Sequence, residues 1–495
     1  MSCENTKAAD TNATAIAVTK DEMPATATTK WLYMEPNEPS SFSANIEKVA
    51  RDPISLDRQR RKGSITSVAT APQFTSDLTL EMVSYFAPGF LFSTWKGTRP
   101  ESYVMVGADS GTKTYSVQAG EVLTAGTLVY ADGFVNPENN GLKTVASTGN
   151  TTMTVAVDET LVTETAPATA RLYVVGHRAA AGDLQIDALG DLISTTLDFT
   201  TLGLTVGQYV HIGGAATANQ LTGATRTVDG VVVGTKARVA EIAANKLTLE
   251  ARDVPYTTDA GAGKSVELFF SAFVRNVPVG DVDFVKQFYH MEATYNTDPM
   301  LYEYADCCVN NTLTINNSMQ DKATLDLAFV GKDLLPPTTT PRLGVRSNQV
   351  ETESFGTQSD IVRLRITDTD DNGVTTYFKD TNVSINNNVA AEYVLGQLAA
   401  EFMNFGNFEV DIDTSVVFTD ATVLAAIRNN TTVGFDMAYK NGDGGFVLSF
   451  PSATFGDGSK SFPRNAKVTI TSPIMVHRDE DRGYSMGVSL FWYLP

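Results

Sequence analysis

The segment Thr312-Leu-Thr-Ile-Asn-Asn-Ser318 returns, little changed, as Asn382-Val-Ser-Ile-Asn-Asn-Asn388. In both copies apolar side chains (Leu313 and Ile315; Val383 and Ile385) alternate with polar ones, the period-two pattern of a strand with one buried and one wet face. The Asn pair then breaks each strand, because Asn suits turn geometry and bonds its own backbone. An internal echo of this kind points to a sheet built from two related halves rather than to a catalytic cleft.

Working outward, the chain after Phe284 reads as strand, turn, strand through Gly331. It then enters Leu334-Leu-Pro-Pro-Thr-Thr-Thr-Pro341, which proline makes unsuitable for a central strand. A projecting loop over Leu334 to Asp360 is the expectation. After the second echo the spacing predicts the clearest helix: Asn388 caps it, Val394, Leu398, Phe402 and Phe405 recur at helical intervals, and Gly406 ends it. Its apolar stripe has to lie on a sheet. A shorter helix fits Ala421 to Arg428 behind Asp420, and the alternation of Met486, Val488, Leu490 and Trp492 predicts a closing strand. Upstream, Ser76 to Phe92 reads as a strand passing into a short helix stopped by Pro88-Gly89.

Residues 101–275 differ in character, with short alternating runs punctuated by turns such as Asp132-Gly133, Asn140-Gly141 and Gly213-Gly214. This is the pattern of small all-β modules, and a seam near Arg178 to Gly182 divides the block in two. The flanks, 63–100 and 276–495, read as one β domain into which the block is inserted. Residues 1–62 read as an extended arm ending in the basic tract of Arg58, Arg60, Arg61 and Lys62, a composition suited either to docking on an acidic neighbour or to a solvated basic linker.

With 495 residues, 42% of them hydrophobic, the chain has material for real cores, and by length for about three domains. Its formal charge of -20 makes a nucleic-acid-gripping surface a poor expectation. No apolar run approaches the roughly 18 to 20 residues that span a bilayer, and Met1 to Glu22 lacks a signal-peptide core, so synthesis in a cytoplasm is expected. The three cysteines, Cys3 and the adjacent Cys307 and Cys308, make neither a disulfide framework nor a zinc spacing.

Chemistry-bearing motifs are few. Gly261-Ala-Gly-Lys-Ser265 lacks the first glycine of a phosphate loop and runs into a strand-like Val266-Glu-Leu-Phe-Phe270. Asp368-Thr-Asp-Asp-Asn-Gly373 matches half a calcium loop, but Lys379 stands where the closing Glu belongs, and Asn372-Gly373 suits a hairpin turn. His177, His211, His290 and His477 lie far apart in sequence, and no Ser occupies a nucleophile elbow. No catalytic residue, metal site or cofactor is expected. In Phe408-Glu-Val-Asp-Ile-Asp413, however, Glu409, Asp411 and Asp413 share one strand face opposite Phe408, Val410 and Ile412. That face is either a solvated edge that discourages pairing or an acidic wall past which a polyanion slides.

Taken in order, the tract from Arg51-Asp-Pro-Ile-Ser55 to Gly63, the Asp77-Leu-Thr-Leu80 strand, the Val309 to Asn317 segment and the repeated Ile-Asn-Asn resemble the tail tube proteins of long-tailed bacteriophages. The inserted block, with its Asn136-Pro-Glu-Asn-Asn-Gly141 turn, is similar in style to β modules that some of them carry. The resemblance implies a mainly β fold of packed sheets or a barrel with a flanking α-helix, and a non-enzymatic virion protein. It implies homo-oligomeric rings, six subunits each, stacked with other tail proteins into a tube through which DNA passes without specific binding. On it, Arg58, Arg60, Arg61 and Lys62 become inter-subunit contacts, Leu334 to Asp360 a bridging loop, and Glu409, Asp411 and Asp413 channel-facing residues. The alternative is a tail-tip or adhesin-like host-surface binding protein.

Overall fold

The computed structural model describes residues 14–51, 54, 59, 61–97, 102–118, 123–228, 230–349, 352–367, 377–417, 422–462, 464 and 467–495. The fold is mainly β, with two α-helices among the described residues, α1 (Leu80–Phe90) and α2 (Thr422–Asn429).

The two echoed segments pair with each other. Strands Leu301–Asn317 and Tyr377–Asn386 run antiparallel with Leu313 opposite Ile385 and Ile315 opposite Val383. All four side chains are buried, so the period-two pattern fixes both the face and the register. Around this pair an inner sheet is ordered Pro36–Ser41, Gln73–Asp77, Thr324–Val330, Leu301–Asn317, Tyr377–Asn386, Glu409–Val417, Thr469–Val476. It folds over where Phe455 meets Ile474. The outer sheet continues as Ile361–Thr367, Val433–Asn441, Gly444–Phe455, Gly487–Phe491 and Ala272–Arg275.

The main core lies between the sheets, where Leu313, Val383 and Ile412 meet Phe435, Phe450 and Val488. Helix α1 closes its open side. Thr79 caps it by accepting from the Met82 amide (3.3 Å), and Leu80, Met82, Val83, Phe86 and Phe90 are buried. The helix carries Pro88-Gly89 inside its last turn rather than stopping there. A Cβ at Gly89 would lie 2.3 Å from the Tyr289 hydroxyl, so glycine lets α1 seat against that strand. α2 falls where the shorter helix is expected.

Three expectations are corrected. First, residues 1–62 are not one extended arm. Ala15–Thr19 and Lys30–Met34 are strands of the body, where Tyr289–Tyr295 pairs with the former, and Val18 and Trp31 are fully buried. Ala44–Arg51 and Arg61–Thr70 form a separate two-stranded hairpin, tied to the body at its base by a bridge between Thr70 and Gly331. Second, 334–360 does not project. Asp333–Thr338 adds to the edge of Leu301–Asn317, a place that tolerates Pro336 and Pro337, and Val345–Asn348 pairs with Lys30–Met34. Arg342 on Asp306 (2.6 and 2.7 Å) and Arg346 on the fully buried Glu292 (2.8 Å) fasten the segment to its own subunit.

Third, 388–406 is not a helix. Ala390–Glu392 and Phe402–Asn404 pair as a small hairpin, and Gly396 takes φ +93° in the loop between them. The stripe finds no sheet to lie on: Leu395, Leu398 and Phe402 are exposed, and only Ala400 and the end residue Val389 are buried. An amphipathic helix is stabilised mostly by the surface that covers it, and the subunit covers only the Phe405 end of the stripe, on Phe92 (5.1 Å).

Within 102–270, Tyr103–Asp109, Thr114–Val117, Thr152–Val155, Gly141–Thr148, Thr127–Asp132 and Arg171–Arg178 close into a six-stranded barrel, the last strand pairing back to the first. It has its own core, including Tyr115, Val129 and Leu172. A second core, with Leu192, Val210, Val239 and Leu268, lies under Glu267–Phe270, Tyr209–Ile212, Val231–Ala243 and Lys246–Glu250. This second unit packs on the outer sheet: Tyr209 and Ala251 meet Ala438, Val447 and Phe491, which point away from the main core. That contact explains why Gly487–Phe491 is buried on both faces.

Candidate channel wall and assembly surfaces

The sheet that buries Leu313, Ile315, Val383 and Ile385 must turn its alternate residues outward. On four adjacent strands these are Thr324 and Asp326; Thr312, Thr314 and Asn316; Asn382, Ser384 and Asn386; and Glu409, Asp411 and Asp413. No Lys or Arg occupies the outward registered positions of these strands. The surface is knitted by short polar contacts: Thr75 Oγ1 donates to Asp326 at 2.6 Å, and Asn316 Nδ2 donates to it at 2.8 Å. Glu409, Asp411 and Asp413 are exposed, while Val410 and Ile412 between them are buried. Glu409–Val417 has a paired strand on each side, so the acidic face belongs to the interior of the sheet and not to an edge. The edge reading falls, because charges there are not needed to block pairing.

Of the basic tract, Arg58 and Arg60 lie outside the described residues. Arg61 and Lys62 are exposed at the start of the second hairpin strand. The hairpin also exposes Ile46, Val49 and Ile65, side chains that a lone subunit leaves in water.

A joint that spacing along the chain does not reveal holds the second unit to the outer sheet. Arg363, with its side chain 4% exposed, donates to Asp253 across the joint, to Asp436 on the neighbouring strand (3.0 Å) and to the Ala251 carbonyl (2.9 Å). Arg238 pairs with Glu250 (2.8 Å) and reaches Ser449 of the outer sheet (2.9 Å), and Arg482 closes on Glu250. Burial alone would raise the Asp253 carboxyl, but Arg363 and Lys236 beside it outweigh this and hold it well below the ordinary range. Burial pushes Lys236 down to about 8 despite Asp253. Aromatic rings tie the six-stranded barrel to the end of the chain beside this joint: Tyr173 stacks on Trp492 (4.6 Å) and Tyr130 on Tyr493 (4.9 Å). These residues come from six separate stretches of the chain, so only the fold brings them together.

The remaining motifs resolve as structure. Lys264 of the glycine turn donates to Thr222 (2.6 Å) and pairs with Asp259 (3.4 Å), holding a loop closed. The calcium-like Asp368–Gly373 lies outside the described residues. His290 bonds Asp306 (2.9 Å) and His477 bonds Thr454 (2.6 Å), each in its own neighbourhood. Cys307 and Cys308 are free thiols, both pushed up by burial. Among the described residues no group of three or more His, Cys, Asp or Glu is placed to hold a metal ion, and no described helix is long and apolar enough to cross a membrane.

Fold and surface together define a mainly β structural protein, with one broad acidic sheet face and a protruding basic hairpin. The sequence matches the family model described as phage tail tube protein over residues 8–476, nearly its whole length. The chain belongs to the phage tail tube protein family. No curated protein matches it.

Proposed function

We infer that copies of this subunit assemble into stacked rings, six to a ring, whose inner sheets line a channel for DNA. The observation that carries the reading is the wall of Asp326, Glu409, Asp411 and Asp413 among Thr, Ser and Asn, with Lys and Arg absent from the outward registered positions. A duplex carries one charge per about 1.7 Å, and a basic lining would bind it through counterion release and stall it. An acidic, small-residue wall repels it weakly and evenly. Six copies giving four strands each make a wall of about 24 strands; at ~4.8 Å spacing and ~40° tilt its backbone circle is about 48 Å across, which clears a DNA duplex.

On this reading the block 101–275 is an insertion carried on the outside, since its contact with the body lies on the far side of the outer sheet from the wall. Arg61 and Lys62, with Arg58 and Arg60, serve contacts between copies. The role is structural, in the virion tail, with no cofactor.

Electron micrographs of the purified protein, or of the particle that carries it, test this directly. Hollow tubes of stacked sixfold rings are expected. A protein that stays monomeric at every concentration and salt, and is present at only a few copies per particle, would instead support the tail-tip reading.

A further inference from the structure

The turn that leaves strand Ser459–Ser461 carries Phe462, which is 74% exposed, more than any other aromatic ring among the described residues. A ring so placed gains by burial in a contact. The segment around it, 456–467, is basic in an acidic protein: Lys460, Arg464 and Lys467 stand against Asp457, in a chain of net charge -20.

Beyond the far end of strand Thr469–Val476 lies an opening of complementary character. A cleft of about 280 Å³, room for a phenylalanine side chain, is lined mainly by apolar side chains, among them Phe92, Val279, Phe284, Phe405 and Phe408. Phe284 lies 5.8 Å from Phe92 in a tilted pair, and Phe405 meets Phe92 edge-on at 5.1 Å, packing that extends readily to a further ring. The rim is acidic on balance: Asp281, Glu480 and Asp481 stand against Arg478, while Asp479 is taken by Arg482 (3.1 Å). Along the strand, Thr469 lies opposite Val417 at the Phe462 end and Met475 opposite Asp411 at the cleft end, about 20 Å away. One molecule therefore cannot seat its own Phe462 in its own cleft.

We propose that Phe462 of one copy plugs the Phe92/Phe284/Phe405 cleft of a second copy. The proposal rests on the tube reading and names a contact that joins successive copies along the axis. Plug and cleft sit at opposite ends of the same sheets, so the contact is head-to-tail and repeats from copy to copy instead of closing on itself as a pair. One ring buried among three others supplies the attraction, and an aromatic anchor seated in a pocket is the kind of residue that dominates an interface. The basic segment and the acidic rim set the polarity, because plug against plug or rim against rim brings like charges together.

Phe462→Ala removes the plug and no contact inside the subunit, so the melting temperature should stay at the wild-type value while the critical concentration for tube growth rises about tenfold or more. Reversing the plug's charge with R464E/K467E, or the rim's with E480K/D481K, should each raise it about threefold at low salt. The four changes carried in one chain should restore growth, which a merely structural role would not do. In addition, F462C and V279C chains, mixed and assembled under oxidation, should form a disulfide-linked dimer that neither variant forms alone. Both positions are exposed, so each variant folds. Wild-type tubes with an F462A chain that grows at the wild-type concentration, or with no mixed disulfide, overturn this contact and leave the tube reading standing. Absence of tubes from the wild-type chain overturns the tube reading itself, and this contact with it.

Discussion

Replacing Arg363 by methionine tests whether the electrostatic joint holds the inserted block in place. Arg363 is the cation between two carboxylates that are nearly as dry as itself, Asp253 at 2% and Asp436 at 1% side-chain exposure. Removing one partner of a buried ion pair leaves uncompensated charge and costs about 3–5 kcal/mol, whereas the desolvated pair itself contributes much less. For a unit of this size that is a fall in melting temperature on the order of 10 °C. Lys322→Met, which removes an exposed partner of Asp77 (side chains 47% and 28% exposed), is the control and should cost under about 1 kcal/mol. The assay is thermal unfolding of the subunit, with limited proteolysis near 250–256 to show that the joint has opened. The acid limb provides a second readout. Because the Asp253 carboxyl lies below its unfolded value of about 4, its contribution is complete above that pH and is lost as the pH falls. R363M should flatten that loss. The double variant R363M/D253N should recover about 2 kcal/mol relative to the sum of the single losses. An R363M protein that melts within about 2 °C of wild type, or strict additivity in the double variant, would refute the reasoning.

Neutralising the wall with E409Q/D411N/D413N should leave tubes intact, since these side chains are exposed, and should impair DNA delivery; normal infectivity would remove the wall from the mechanism. Lys236, buried and brought down to about 8, binds its proton more weakly folded than unfolded. Stability should therefore rise between pH 8 and 10 by on the order of 1 kcal/mol per unit, and K236M should abolish that rise in denaturant titrations. Reversing the hairpin charge with R61E/K62E should leave the subunit's melting temperature unchanged and slow tube growth, most strongly at low salt. Unchanged light-scattering kinetics would relieve these residues of any role between copies.

Elements whose side chains are decided by alternation within one strand were legible. The two Ile-Asn-Asn segments and the acidic face of 409–413 each depend on residues a few positions apart, and local periodicity records which face must be buried; the Asp77-Leu-Thr-Leu80 strand does not hold to its end, since Thr79 caps α1. The 388–406 segment shows where this stops. Its pattern states that the residues want a helix against an apolar surface, but whether that surface exists is a property of other parts of the fold. The arm and the 334–360 loop went the same way. Trp31, Arg342 and Arg346 read as features of surface segments until the fold places them on Tyr304, Asp306 and Glu292.

The amino-acid order by itself determined the β class, the buried and wet faces of the inner strands and the sign of the charge on them, because these follow from side-chain period and composition. Tertiary structure alone decided that the echoed strands are partners, that the acidic strand lies inside its sheet, and that Arg363, Asp253 and Asp436 form one joint. Those outcomes depend on contacts between residues tens to hundreds of positions apart, for which local sequence carries no energy term.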